Sequence, residues 1–295
     1  MNLRPNVQPA GAASPPARPE PAGADWGTAR PGLPARFLIG LSRRTVLGHS
    51  TGRKMLTRLL AKVHKGPVDD YVFGVPARLY PYNNVCERKA LMRPDAMDPA
   101  EHALLATIMA AAPSVFVDIG ANVGLYSLHA ALTSAPGGVI LAVEPNPVLV
   151  DRFRFNLDLA RRGGRVADRV TVLIAPVALS DHDGEGVLAA PGGEGTGRLG
   201  AEAPGQTVPI RQLLPLLREK KIERIDLMKI DIEGHEDRVL PGLLASDAER
   251  LWPRNLIVEH LGRRSWSVDC IALCLERGYR VARKLRGNTI LTRDP

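Results

Sequence analysis

From about residue 71 onward, short runs of β-branched and other apolar residues alternate with stretches of helical periodicity. Seven strand-like runs are predicted, at residues 115–118, 139–143, 170–175, 225–230, 256–259, 279–282 and 289–292. Helices are predicted at residues 125–133, 147–161, 211–220, 235–245 and 267–277, and another is predicted to begin with Asp98 as its N-cap. Such alternation is typical of a parallel sheet wound by helices, so the pattern predicts an α/β fold with one open sheet.

The first 70 residues follow a different pattern. Residues 1–35 are rich in Pro, Ala and Gly, and we expect them to be disordered because they have too little apolar surface to offset the entropy of ordering. Residues 36–70 form a basic, partly amphipathic helical segment. One helical face of this segment carries four apolar residues, Leu56, Leu59, Leu60 and Val63. That face either packs on the domain of residues 71–295 or makes a weak contact with a membrane surface or a partner.

The charge of the chain is concentrated near its N-terminus. The 295 residues carry a formal net charge of +8, but residues 1–66 hold 11 Lys and Arg against 2 Asp and Glu. The remaining residues, with 28 basic and 29 acidic side chains, are nearly neutral. A domain that grips a polynucleotide needs its own basic stripe, and aromatic residues, which could stack on bases, make up only 4% of the chain. We therefore expect no nucleic-acid partner.

Cysteine content and hydropathy bear on the cellular compartment. The three cysteines have no metal-ligand spacing and are too few for a disulfide framework, which favours a reducing compartment and predicts no structural metal. No apolar run is long enough to span a membrane, and residues 1–36 lack the apolar stretch of a secretory signal. The sequence therefore predicts a cytoplasmic protein and leaves its oligomeric state open.

The candidate chemistry begins where the first predicted strand runs into a glycine-rich turn. Gly120 and Gly124 would let the backbone approach a ligand, and Glu144, at the end of the next strand, could accept hydrogen bonds from both ribose hydroxyls. A dinucleotide site expects G-x-G-x-x-G, whereas this turn lacks one glycine and carries Asp118 at its mouth. Because an acid repels a pyrophosphate and suits an ammonium or sulfonium, the turn favours S-adenosylmethionine as the cofactor.

Five motifs follow one another along the chain, VDIGANVGLYS at 117–127, VEPNP at 143–147, FRFNL at 153–157, VALSDHDGE at 177–185 and LMKIDIEGHEDRVLPG at 227–242. Together they resemble the FkbM-type family of S-adenosylmethionine-dependent O-methyltransferases. The resemblance covers residues 80–259 and implies the class I, Rossmann-like methyltransferase fold, a seven-stranded, mostly parallel sheet whose final hairpin is reversed. One departure is Pro209-Ile210-Arg211, where the family usually has Leu-Asp, so no acceptor-side or structural role of that acid is carried over to this chain.

The resemblance also implies which residues bind the cofactor. The methionine end would be surrounded by residues of the glycine-rich turn, namely Asp118, Gly120, Ala121, Asn122 and Gly124. Glu144 would hold the ribose. The adenine would be bordered by Val177, Ala178 and Ser180.

A candidate catalytic cluster follows the fourth predicted strand, where Asp231, Glu233 and His235 come within five residues. Transfer to oxygen needs a base, for which His235 is suited by its ordinary pKa, while a carboxylate such as Asp231 would need its pKa raised by burial or a like neighbour. His260 is a further candidate. In the simpler alternative, Glu233 caps the next helix and His235 lies on the surface. A divalent metal is the minor interpretation, because three ligands so close in sequence make an awkward site.

These observations predict an O-methyltransferase that acts on a hydroxyl of a sugar, glycolipid or polyketide-like small molecule. The loop after the fourth strand lacks the Asn/Asp-Pro-Pro-aromatic sequence usual in enzymes that methylate amino groups, which favours oxygen. A nicotinamide-dependent oxidoreductase is the first alternative, since it shares the strand, loop, helix and acid. The second alternative is a non-catalytic nucleoside-binding protein that docks on anionic lipid through residues 36–66.

Overall fold

The computed structural model describes residues 25–45, 48, 50–189, 193–195, 197–200 and 204–294. The helices are α1 (Leu33–Arg44), α2 (Ser50–Val63), α3 (Val85–Met92), α4 (Pro99–Ala111), α5 (Leu125–Thr133), α6 (Pro147–Arg162), α7 (Leu213–Glu219), α8 (Leu240–Leu244) and α9 (Cys270–Glu276). The strands are β1 (Val68–Val72), β2 (Val75–Leu79), β3 (Val115–Ile119), β4 (Val139–Val143), β5 (Thr171–Ala175), β6 (Ala178–Leu179), β7 (Gly184–Ala189), β8 (Arg198–Leu199), β9 (Gln206–Arg211), β10 (Leu227–Ile230), β11 (Asn255–Glu259), β12 (Arg280–Lys284) and β13 (Asn288–Thr292).

The central sheet has seven strands in the order β12-β13-β11-β10-β3-β4-β5. Six of them run in the same direction, while β13 is antiparallel to both of its neighbours, β11 and β12. The predicted seven-stranded, mostly parallel sheet with a reversed final hairpin is therefore confirmed. Each strand-like run of the sequence overlaps one of these strands, and the central strands β3 and β4 are buried and contain almost only apolar residues.

The order of the strands places three polar side chains at one edge of the sheet. β3 lies between β4 and β10, and Asp118 of β3 is in register with Lys229 of β10. Glu144 follows the last residue of β4, and its backbone N–H donates to the carbonyl of Ala175 at the end of β5. In such sheets ligands bind beyond the carboxyl ends of the strands, where the connection order reverses. This edge is therefore the place to look for a site.

Two groups of short strands lie outside the sequence-based prediction. β1 and β2 form an antiparallel hairpin, and a second sheet has the order β6-β9-β7-β8. The departure at residues 209–211 lies in β9, where Ile210 pairs with Ala178 and Gly184, so α7 begins at Leu213 rather than at residue 211. Asp98 is the N-cap residue of α4, as predicted, but its carboxylate makes no capping hydrogen bond and instead accepts one of 3.0 Å from the hydroxyl of Tyr126.

The N-terminal segment differs from the expected disordered extension. Residues 1–24 lie outside the described residues, but residues 25–35 contact the domain, and α1 already begins at Leu33. The backbone N–H groups of Gly27 and Ala29 both donate to Asp69 Oδ2, at 2.6 and 3.1 Å. Asp69 in turn pairs with Arg78 at 2.7 Å, and both side chains are buried. Residues 25–35 are therefore fastened to the β1–β2 hairpin.

The basic segment contributes two packed helices. On α2, Leu56 and Leu60 are fully buried, in the same apolar cluster as Ile39 of α1. Leu59 and Val63, which the sequence placed on the same face, are 39% and 51% exposed. Only half of the predicted apolar face therefore packs on the domain. Among the described residues, no helix is long and apolar enough to cross a membrane.

We expect Asp69→Ala to lower the free energy of unfolding by about 3–5 kcal/mol, because it leaves the buried guanidinium of Arg78 without its carboxylate. Urea denaturation measures the change. Asp70→Ala is the matched control, since Asp70 is the neighbouring acid and pairs with Arg43 where both side chains are about one quarter exposed. It should cost about 1 kcal/mol or less. Equal losses in the two variants would contradict the structural role given to Asp69.

Candidate active site

A cavity of about 380 Å³ lies at the carboxyl ends of β3, β4, β10 and β11. Among the described residues its wall includes seven acidic side chains, Asp98, Asp118, Glu144, Glu194, Asp231, Glu233 and Glu259. Only three basic side chains join them, Lys89, Arg198 and Lys229. This excess of carboxylates favours a cationic ligand. The sequence-predicted residues Gly120, Ala121, Asn122, Val177, Ala178 and His235 also line the cavity.

The glycine-rich turn is shaped by what surrounds it. Gly120 and Gly124 both have positive φ, of 79° and 76°. A Cβ at residue 120 would overlap the backbone carbonyl of Asp231, and one at residue 124 would overlap the ring of Phe153. Gly120 therefore lets β3 and β10 come together at the cavity. Gly124 lies against Phe153 of α6 and is not among the residues that line the cavity, so its expected contact with the cofactor stays a prediction.

Glu144 is held by the turn that it faces. Its carboxylate accepts hydrogen bonds from the backbone N–H groups of Asn122 and Asn146, each of 2.9 Å, and its side chain is largely buried. Burial raises the pKa of Glu144 to about 7, the Asp118 and Asp231 carboxylates add to the rise, and the two hydrogen bonds oppose it. Each carboxylate oxygen has a second lone pair, so the group can still accept hydrogen bonds from a diol.

A buried ammonium lies among the acids of the cavity floor. Lys229 donates a hydrogen bond of 2.8 Å to Asp231 Oδ2 and lies 4.9 Å from the ring centroid of Tyr126. Burial opposes the charge, but Asp231 and Asp118 outweigh it and raise the pKa of Lys229 above its usual value. Asp118 Oδ2 accepts a hydrogen bond of 2.6 Å from Ser127, whereas its Oδ1 is buried without a hydrogen-bond partner. That oxygen is available to a donor that enters the cavity.

The three expected catalytic residues all reach the cavity wall. Glu233 has a φ of 57° and pairs with Arg198 of β8 at 3.8 Å, while burial and the charge of Asp231 raise the pKa of Glu233. Burial lowers the pKa of His235, so its ring is neutral at pH 7. Asp231 accepts from Lys229 as described. The alternative in which Glu233 caps the next helix is wrong, because neither the helical turn at residues 236–238 nor α8 has a side-chain cap.

Glu236 is fully buried and holds the loop after β10. Its Oε1 accepts hydrogen bonds from the backbone N–H groups of Ile232 and Gly234, at 2.9 and 3.4 Å. Its Oε2 accepts one of 2.8 Å from the indole of Trp266. Glu236 thus fixes the backbone that carries Glu233 and His235.

Two expected residues lie away from the cavity. Ser180 is buried, and its hydroxyl lies 3.1 Å from Nε2 of His235 and 3.2 Å from Oδ1 of Asp181. It therefore supports His235, a residue of the cavity wall, and its expected place beside the adenine stays a prediction. His260 pairs through Nδ1 with Thr289 at 2.9 Å and is not part of the cavity wall.

Glu259 is the residue that sequence reasoning missed. It ends β11, lines the cavity, and its Oε2 is buried without a hydrogen-bond partner. Burial raises the pKa of Glu259 to about 8, and the acids Asp231, Glu233 and Glu236 add to the rise. The sequence contained one indication of this role, since Glu259 is an acid at the end of the predicted strand 256–259, and this strand pairs with the strand that precedes Asp231.

Glu194, Gly195 and Gly197, which lie in the connection between β7 and β8, form part of the cavity wall. Arg152 of α6 pairs with Glu194 of this connection at 2.6 Å and with the buried Glu87 of α3 at 3.0 Å. The amide of Asn146 also donates to the carbonyl of Glu194, at 3.3 Å. These contacts fasten the connection to α3 and α6. The described residues contain no group of His, Cys, Asp and Glu side chains that could hold a metal ion.

The sheet with its reversed last strand, the glycine-rich turn after β3 and the acid after β4 define a class I methyltransferase. The chain belongs to the FkbM methyltransferase family, because the family model described as "Methyltransferase FkbM domain" matches residues 118–281, more than half of the chain. It is accordingly an S-adenosylmethionine-dependent methyltransferase.

Two relatives have names that state an activity. The methyltransferase sdnD of Sordaria araneosa is 29% identical over 195 residues, which cover 57% of this chain and 74% of that protein. The 31-O-demethyl-FK506 methyltransferase FkbM of Streptomyces tacrolimicus is 30% identical over 165 residues, which cover 48% of this chain and 62% of that protein.

Solved structures of more distant proteins are also similar. An O-methyltransferase from Bacillus cereus, in complex with SAH, has a TM-score of 0.38 and 14% identity, covering 66% of this chain and 80% of that one. The O-methyltransferase TomG from Streptomyces achromogenes, in complex with SAM, has a TM-score of 0.39 and 13% identity, covering 71% of this chain and 86% of that one.

Proposed function

We propose that this chain transfers a methyl group from S-adenosylmethionine to a hydroxyl oxygen of a sugar, glycolipid or polyketide-like small molecule. The observation that carries the choice of oxygen is Glu259, a carboxylate of raised pKa with a buried, unpartnered oxygen in the cavity. A hydroxyl must lose its proton as it is methylated, so its acceptor site needs such a base. The name of one relative also specifies transfer to an oxygen.

The cavity residues suit S-adenosylmethionine. In this proposal Glu144 accepts the two ribose hydroxyls, and Val177 and Ala178 border the adenine. The buried, unpartnered Oδ1 of Asp118 accepts from the methionine ammonium, beside the backbone of residues 120–122. The excess of acids in the wall favours the positive charge of the sulfonium. When bound, the cofactor supplies an electrophilic methyl group.

Residues of the chain bind the acceptor hydroxyl and remove its proton. We assign the general base to Glu259, because it satisfies the requirement that a carboxylate base have a raised pKa. It would hold the acceptor hydroxyl and take its proton. Asp231 and Glu233 act on Glu259 through their charges, which favour its protonated product. His235, neutral and supported by Ser180, is the second candidate for the base.

Calorimetry with three ligands tests the cofactor assignment and separates it from the oxidoreductase alternative. We expect S-adenosylmethionine and S-adenosylhomocysteine to bind, and NAD not to bind, because a pyrophosphate would meet the acids of the cavity wall. Transfer of a labelled methyl group to a panel of sugars and polyhydroxylated small molecules then tests the acceptor class. Tight binding of NAD, or transfer only to amines, would contradict the proposal.

A further inference from the structure

The surface of α1 and α2 carries an unusual arrangement of exposed residues. On α2, Met55, Leu59 and Val63 are 47%, 39% and 51% exposed. Because they are four residues apart, they form a continuous apolar stripe along the helix. On α1, Leu33 and Phe37 repeat the same spacing and are 79% and 69% exposed. These five residues are here called the apolar stripe.

Basic residues accompany the apolar stripe. Lys54, Arg58 and Lys62 each precede a residue of the stripe by one position, so they form a parallel basic row on α2, and all three are exposed. Residues 25–66 contain nine Lys and Arg against one Asp. An exposed apolar stripe beside a basic row is the pattern of a helix that lies in the interface of an anionic membrane.

A second cavity of about 380 Å³ lies beside α1 and has the chemistry of a phosphate site. Its wall includes four arginines, Arg30, Arg36, Arg43 and Arg44, together with Trp26, Tyr71, Asp69 and Asp70. The two acids are already paired, Asp69 with Arg78 and Asp70 with Arg43. Among the described residues, the other three arginines form no ion pair with an acid. Tryptophan and tyrosine are the side chains enriched at membrane interfaces.

We infer that the exposed surface of α1 and α2 docks on an anionic phospholipid bilayer, with the apolar stripe in the interface and the basic residues on lipid phosphates. Charge favours a membrane over a second copy of this chain as the binding partner. The nine basic residues and one acid of residues 25–66 complement an anionic surface, whereas two copies of this surface would repel each other. The basic row and the arginine-lined cavity both accept phosphate, while the stripe supplies the apolar contact that a purely electrostatic site lacks.

The docking surface lies behind one wall of the methyl-transfer cavity. α3 contacts both α1 and α2, and it supplies Val85, Cys86 and Lys89 to the cavity wall. This adjacency suits an acceptor anchored in a membrane, a consequence that rests on the proposed function. The docking on the membrane does not depend on the proposed function, because it needs neither the cofactor nor the acceptor.

Flotation of the full chain with lipid vesicles tests the inference. We expect the protein to float with vesicles that contain phosphatidylcholine and phosphatidylglycerol, and high salt should release it from them. It should not float with vesicles of phosphatidylcholine alone. The variant K54Q/R58Q/K62Q should lower the partition coefficient roughly 100-fold. The variant M55S/L59S/V63S should lower it by roughly 10-fold or more.

Matched controls change exposed residues elsewhere on the domain. R218Q/R283Q/K284Q removes the same charge, and V187S/L275S/V281S removes a similar exposed apolar area. Both should float like the unchanged chain. Failure of the unchanged chain to float with the anionic vesicles would overturn the inference, as would equal losses in test and control variants. A dimer in solution that needs the apolar stripe and excludes vesicles would overturn it too. Calorimetry with S-adenosylmethionine on the same samples keeps this outcome separate from failure of the proposed function.

Discussion

Glu259→Gln is expected to lower kcat by about 10²–10⁴-fold and to leave the dissociation constant of S-adenosylmethionine nearly unchanged. Glutamine keeps the size and one acceptor oxygen of the side chain but cannot take a proton. Because general-base help is realised only in the transition state, the loss belongs to kcat rather than to cofactor binding. Single-turnover transfer to the acceptor, with calorimetry for the cofactor, measures the two quantities.

The pH profile gives a second measure of the same residue. A base must be ionised, and the pKa of Glu259 is raised to about 8, so kcat should rise with pH across the range around that value and level off above it. In Glu259→Gln this rise of kcat with pH should disappear. His235→Ala is the comparison, since a limb governed by the imidazole would instead lie below its ordinary pKa, in line with the lowered pKa of that ring. If Glu259→Gln keeps full turnover and His235→Ala does not, the base is His235.

Glu144→Ala is expected to weaken the binding of S-adenosylmethionine by about 10- to 1,000-fold, because one or two hydrogen bonds to a charged group are lost. The change also removes the acceptor of the Asn122 and Asn146 backbone N–H groups. Glu144→Gln separates these effects, since the amide retains one acceptor oxygen. Calorimetry at a single pH gives both affinities.

The dependence of this affinity on pH distinguishes a ribose-binding carboxylate from a structural one. The pKa of Glu144 is raised to about 7 in the free protein, whereas the bound diol and sulfonium favour the ionised form. The affinity should therefore rise as the pH increases from about 6 to 8, by up to about tenfold for each pH unit below that pKa. Glu144→Gln should flatten this part of the profile. An unchanged affinity in both variants would remove Glu144 from the ribose site.

The fold was predictable where buried strands leave a clear pattern. The central strands β3 and β4 are short apolar runs, and such runs are informative because burial on both faces admits few polar residues. The strands of the second sheet are as short as two residues, and β7 contains two glycines. Their pairing depends on contacts between distant segments, such as Ala178 with Ile210, which local periodicity does not encode.

The position of the candidate site in the fold was predictable, but the contacts and ionisation of its individual side chains were not. Ligands of such sheets bind beyond the strand ends, and on this basis Asp118, Glu144 and Asp231 were predicted to lie together. All three line one cavity. A motif does not specify what each of its residues contacts, so the contacts of Gly124 with Phe153 and of Ser180 with His235 could not be predicted. Ionisation depends on neighbours from other strands, so the environment of Glu259 could not be read from its own strand.

The contact of Gly120 with the Asp231 carbonyl has an evolutionary consequence. Because any side chain at residue 120 would displace the end of β10, a change there would alter the cofactor turn and the acceptor-side acids together. A substitution at residue 120 therefore cannot alter one of these two parts of the site without the other. Altered acceptor preference among related enzymes is therefore expected to arise in the other walls, the β7–β8 connection and α3, where substitutions leave both strand ends in place.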